Sequence, residues 1–129
     1  MASEEFRGPR QIWRAFTWSM KGLRAGYRFE ASFRLEVWLA IVLVPLGLWL
    51  GAGAVQKILL VTMPLLVLSA ELLNSAIEAV VDKVSPEFNE LAGRAKDMGS
   101  AAVFLLLLLV VLTWALLLGP RLLLALGLS

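Results

Sequence analysis

Cysteine and histidine are both absent from this 129-residue sequence. Without them there are no disulfides, thiol nucleophiles, Cys/His metal centres, histidine general bases or phosphohistidine chemistry. Charge is scarce too: 17% of residues are Asp, Glu, Lys or Arg, 60% are hydrophobic, and mean hydropathy is +0.81. Soluble domains lie nearer about 45–50% apolar, so this composition is that of a membrane protein. Three spans of about 20 residues would use about half the chain and leave no room for a separate soluble catalytic domain. The sequence also lacks GxxxxGK[ST], a GxGxxG followed by a parallel-sheet unit, and the HRD and DFG strings of protein kinases. GAGAVQK at Gly51 is only a weak echo of a phosphate loop. Any chemistry rests on Asp, Glu, Asn, Ser, Lys and Arg.

What is present reads as an all-α membrane protein: an N-terminal amphipathic surface helix over residues 1–34, then three transmembrane helices in an oligomeric bundle. Residues 37–55 carry no charge and include Pro45, which a membrane helix tolerates. Gly51-Ala-Gly53 marks a turn, and a second span runs over 58–81 with Pro64 inside it. Residues 82–99 form a polar loop, 101–118 a third, uncharged span, and Gly119-Pro120 a stop signal before a tail over 119–129. The charged, aromatic-rich opening is unlike a signal peptide.

The basic residues set an orientation. Arg7, Arg10, Arg14, Lys21, Arg24, Arg28, Arg34, Lys83, Arg94 and Lys96 fall on one side, Lys57 and Arg121 on the other. The positive-inside bias then puts the N-terminus and the 82–99 loop in the cytosol and the C-terminus outside. At 100° per residue, Trp13, Phe16, Met20, Leu23 and Tyr27 share one stripe while Arg10, Arg14, Lys21, Arg24 and Arg28 share another. Such a helix lies on anionic headgroups, each cation near the surface contributing about 1 kcal/mol.

The second span carries an unusual polar face. Glu71, Asn74, Ser75, Glu78 and Asp82 project within about 100° of one another. Asn and Ser alone would serve as interhelical glue. Two carboxylates on one face repel unless a proton or cation separates them, and an intramembrane Glu is a functional hypothesis by default. With Ile58 at the outer face, Glu71 lies roughly 20 Å in and Glu78 roughly 30 Å in, at the cytosolic hydrocarbon boundary. A lipid hydroxyl and a water-soluble, metal-bound phosphate donor would meet at about this level. Glu30, Glu36, Lys96 and Asp97 can approach the same layer.

Three strings in these regions carry a family resemblance: ELLNSAIEAVVDKV from Glu71 to Val84, ELAGRAKDMGSAAV from Glu90 to Val103, and SMKGLRAGYRFEASFRLE from Ser19 to Glu36. Together they resemble the prokaryotic diacylglycerol kinases, small integral-membrane enzymes, over most of Gln11 to Val103; the third span and tail match only as apolar sequence. The resemblance implies ATP-dependent phosphorylation of diacylglycerol to phosphatidic acid with Mg2+, in the bacterial inner membrane. It implies a homotrimer with active sites shared between neighbours. The expected partners are diacylglycerol, ATP and membrane lipid, without nucleic acid.

It also implies residue roles. Glu71 matches the general base, with Asn74 beside it, and Glu30 and Glu78 match the metal-holding carboxylates. Glu87, Phe88, Asn89, Lys96, Asp97, Trp18 and Arg10 are expected on the nucleotide, with Glu30 and Glu78. Ser19, Arg24, Arg34, Glu36, Trp49 and Ser100 are expected on the lipid with Glu71, and Asp82 matches another polar position of the site. This sequence departs from the family pattern in having Gln11 at the early Arg position, Trp18 and Met20 for a Tyr and a Trp, and Glu87-Phe88-Asn89 for Glu-Tyr-His. Undecaprenol kinases share the acidic constellation, but RAKDMGSAAV looks like the diacylglycerol branch. A small multidrug transporter would need four spans and a deep Glu in the first, and a purely structural trimer would leave Lys96 and Asp97 unexplained.

Overall fold

The computed structural model describes residues 8–128. Residues 1–7 of the expected surface helix, Arg7 among them, lie outside these. The described chain forms four helices: α1 (Pro9–Phe29), α2 (Ala31–Leu50), α3 (Gly53–Val84) and α4 (Glu90–Ala125). The last three are long and apolar enough to cross a membrane. That agrees with the three expected spans and gives a four-span transporter no fourth segment among the described residues.

The boundaries differ from the sequence reading at several points. The surface helix ends at Phe29, not at residue 34, and α2 begins at Ala31. Between them Glu30 alone is extended, with φ −115° and ψ 109°. It ends one helix and starts the next: its N–H donates to Gly26 O at 2.9 Å, and its own carbonyl accepts from Arg34 N at 3.1 Å. The Arg34 guanidinium reaches back to Tyr27 O at 2.9 Å and Arg28 O at 3.0 Å, satisfying final-turn carbonyls of α1.

At the other end α2 stops at Leu50, short of residue 55. Gln56 Oε1 accepts from Ala52 N at 2.9 Å as α3 begins. The polar connection shrinks from 82–99 to residues 85–89, because Asn89 caps α4: its side-chain oxygen accepts from Leu91 N at 2.9 Å and Ala92 N at 3.2 Å. An acidic Glu90 in the first turn adds a favourable dipole interaction. Gly119-Pro120 does not stop α4, which continues to Ala125 and places Arg121 where its guanidinium donates to Leu50 O at the end of α2.

α3 is the central element, packed along both α2 and α4, while α1 lies against α2 and α3. Gly26 of α1 is buried, with Leu72 and Phe33 beside it. Among the described residues the buried apolar side chains are Phe33, Ala40, Leu60, Pro64, Val67 and Val103. So small a core leaves most apolar side chains facing outward, as suits a bundle held by close helix packing in lipid. On α1 the outward apolar residues include Ile12, Trp13 and Phe16, and the rings of the last two stack with centroids 5.8 Å apart.

Pro64 removes the N–H that would bond Leu60 O four residues earlier, and a bare carbonyl in a bilayer costs several kcal/mol. Trp114 Nε1 of α4 donates to that carbonyl at 3.2 Å.

Candidate functional site

Helical spacing dictates which α3 side chains point inward. Leu60, Pro64, Val67 and Glu71 are its buried residues and recur on one stripe. The stripe is apolar until it reaches Glu71, a carboxylate only 7% exposed. One turn further along, Asn74 Nδ2 donates to Glu78 Oε1 at 3.3 Å, tying the amide to the next carboxylate. The extended Glu30 and the first turns of α2 deliver a second set of polar groups to the same level. Glu30, Ser32 and Glu36 line a cleft of about 350 Å³ together with Glu71, Asn74, Ser75 and Glu78. Ser100, Val103 and Leu107 close it from α4.

Two acceptors in this region are buried without a hydrogen-bond partner: Glu36 Oε2 and Asn74 Oδ1. Buried polar atoms are ordinarily paired, and unpaired ones mark a place where a ligand, ion or water completes the bonding. Gly99 on α4 is what lets Asn74 sit there, because a Cβ at that position would collide with Asn74 Oδ1.

The carboxylate set fits a nucleotide-borne magnesium ion. Among the described residues no group of three Asp or Glu side chains is arranged to hold a metal alone. Magnesium in phosphate-transfer sites typically takes one or two carboxylates and completes its shell with phosphate oxygens and water, so Glu30 and Glu78 are sufficient in number and kind.

A second, larger groove of about 730 Å³ opens between α1 and α3. Ser19, Leu23, Gly26 and Phe29 line one wall, Leu72, Ala76 and Ala79 the other. Glu30 and Ser75 belong to both cavities. The polar cleft and the apolar groove therefore meet at Glu30 and Ser75.

Of the residues expected from sequence, Glu30, Glu36, Glu71, Asn74, Glu78 and Ser100 share the cleft, and Ser19 lies on the adjoining groove. Lys96 and Asp97 do not line it. Lys96 Nζ lies 2.5 Å from Asp82 Oδ1, and this contact holds the Lys96 ammonium above its ordinary pKa. The pair is solvent-exposed and adds little stability. Asp97 is exposed. Phe88 is 94% exposed on the α3–α4 connection beside Glu87, and Asn89 is occupied as a helix cap. Trp18, Arg24 and Arg10 lie on exposed parts of α1, Arg10 beside Trp13 and Arg14. Arg34 is held by the α1 carbonyls, and Trp49, 79% exposed, sits at the end of α2 remote from Glu36.

Sequence reasoning did not single out Ser32, Gly99, Val103 or Leu107. Ser32 precedes Glu36 by one helical turn, and Val103 follows Ser100 by about one turn. Each pair shares a helix face, the signal that would have found them.

A model of the family described as prokaryotic diacylglycerol kinase matches residues 17–118. The chain is 47% identical over 108 residues to a diacylglycerol kinase of Escherichia coli (strain K12), covering 84% of this chain and 88% of the relative. A diacylglycerol kinase of Pseudomonas aeruginosa is 43% identical over 118 residues, covering 89% and 96% respectively. One from Haemophilus influenzae is 46% identical over 97 residues, covering 75% and 82%.

Proposed function

The chain belongs to the prokaryotic diacylglycerol kinase family, and from that premise we propose that it phosphorylates diacylglycerol with ATP at the cytosolic face of the bacterial inner membrane. The observation that carries this reading is the meeting of a carboxylate cleft with an apolar groove at Glu30 and Ser75. The groove suits the acyl portion of a lipid, and the cleft suits its hydroxyl and the phosphates. Glu71, nearly enclosed on the inward stripe of α3, accepts the hydroxyl proton. The lipid oxygen then bonds to the γ-phosphorus as the bridging bond to the β-phosphate breaks, and ADP leaves. Asn74 orients the reacting groups through its amide, itself fixed by the bond to Glu78.

Glu30 and Glu78 would hold Mg2+, which when bound supplies neutralisation of phosphate charge. Lys96 and Asp97 lie off the cleft of their own chain, an arrangement consistent with a homotrimer in which neighbouring chains share sites. In the membrane, spans within α2, α3 and α4 leave α1 on the cytosolic surface, where its cations meet anionic lipid.

Phosphate transfer to diacylglycerol and to undecaprenol, measured side by side with ATP and magnesium, tests the reading. Preferential labelling of diacylglycerol is expected. Preferential labelling of the polyprenol would move the chain to the undecaprenol branch, and labelling of neither would overturn the reading.

A further inference from the structure

Glu71 is approached from one side by an unusual interhelical bond. Pro64 lies seven residues before it on the same buried stripe, about 10 Å along the axis, and cannot donate to Leu60 O. Trp114 of α4 supplies the missing donor at 3.2 Å. α2 also closes on this point, since a Cβ built on Gly47 would lie 2.9 Å from Leu60 Cβ and 3.5 Å from Trp114 Cζ2. Three helices thus converge around one carbonyl. On the other side of Glu71, Asn74 packs against Gly99 of the same α4. α4 therefore contacts α3 at two levels that bracket the carboxylate. Without the upper tie, Pro64 is a weak point about which the α3 segment carrying Glu71 can rotate.

We propose that Trp114 is a positioning residue for the phosphoryl transfer: its indole N–H, by bonding the Leu60 carbonyl that Pro64 leaves without a helical partner, fixes the direction in which α3 presents Glu71. The inference rests on Glu71 being the proton acceptor, and it assigns Trp114 no contact with either substrate.

The test is a double-mutant cycle in the full chain, assembled in lipid. Trp114→Phe keeps a ring and deletes the N–H. Its kcat should fall about tenfold with both KM values little changed, because small misplacements of a catalytic group are costly while binding is spared. Pro64→Ala restores a backbone N–H to Leu60 O. In that background Trp114→Phe should change kcat by no more than about twofold, and the loss of thermal stability caused by Trp114→Phe should shrink in parallel. An equal fall in kcat in both backgrounds would overturn the proposal, since the ring's packing alone would then account for it; so would a Trp114→Phe kcat within twofold of the parent. Should Trp114→Phe alone fail to assemble, recovery of folded, active enzyme by adding Pro64→Ala supports the proposal, and no recovery rejects it. The stability arm is independent of Glu71: coupling there without coupling in kcat means the bond exists but does not position the carboxylate. If Glu71→Gln itself retains activity, the role given to Glu71 fails while the Trp114–Pro64 stability coupling persists.

Discussion

Glu71 has the burial of a core residue and the chemistry of a surface one, and that conflict makes a decisive substitution available. Glu71→Gln keeps the size and most hydrogen-bonding capacity of the side chain but cannot take the alcohol's proton. A role as interhelical glue predicts near-normal turnover, whereas a role as base predicts a fall in kcat of about 10²-fold or more. Purified Glu71→Gln protein with intact nucleotide binding should show the second result; turnover within a few-fold of the parent would return Glu71 to a structural role. Glu78→Gln and Glu30→Gln should act differently. In the proposed roles each removes one hard oxygen ligand, so each should shift the magnesium dependence of activity to higher concentration. A magnesium titration superimposable on the parent's, from an intact assembly, would deny that residue a place on the metal. Gly99→Ala introduces a methyl group that collides with Asn74 Oδ1. Displacing the amide from Glu78 should lower activity more than it lowers thermal stability, because the cleft polar atoms move while the apolar contacts of α3 and α4 remain.

Among the elements, the three spans were legible because their apolar runs are long enough for length alone to decide, and α1 because its apolar and basic residues fall on separate stripes. The inward polar face of α3 was equally legible, because Glu71, Asn74 and Glu78 repeat at helical spacing. The break at Glu30 was not: neither Gly nor Pro marks it, and what stabilises it is the reach of the Arg34 side chain back across the break to Tyr27 O and Arg28 O. Pro120 misled in the opposite direction. A membrane helix tolerates proline when neighbours satisfy the freed groups, and the bond from Arg121 to Leu50 O holds the turn just past Pro120 against α2. The start of α4 was readable from Asn89 and Glu90 but was hidden by the charges that follow them. That cap offers its own check. Asn89→Ala removes the acceptor for Leu91 N and Ala92 N and should cost about 1 kcal/mol, seen as lower thermal stability. If Asn89 also contacts nucleotide, the KM for ATP will rise as well; an unchanged KM confines the residue to capping.

For the whole molecule, the disposition of charge and the position of the cleft point the same way. Three consecutive spans put the ends of the chain on opposite sides of the bilayer. All the carboxylates of the cleft lie at the α1 end of the bundle, while Leu50 and Arg121 meet at the other. Ten of the twelve basic residues fall in the stretch up to Arg34 or in the stretch from Lys83 to Lys96. In the orientation proposed from the positive-inside bias the cleft would face the compartment that supplies ATP, whereas the reverse orientation would leave the acidic site facing away from the proposed phosphate donor. Reporter fusions at the two termini should accordingly give a cytosolic signal from the N-terminus and an external one from the C-terminus. Cytosolic signals from both ends would reject the odd number of spans. Exchanged signals would keep three spans but invert them, and would set the charge asymmetry and the proposed chemistry against each other.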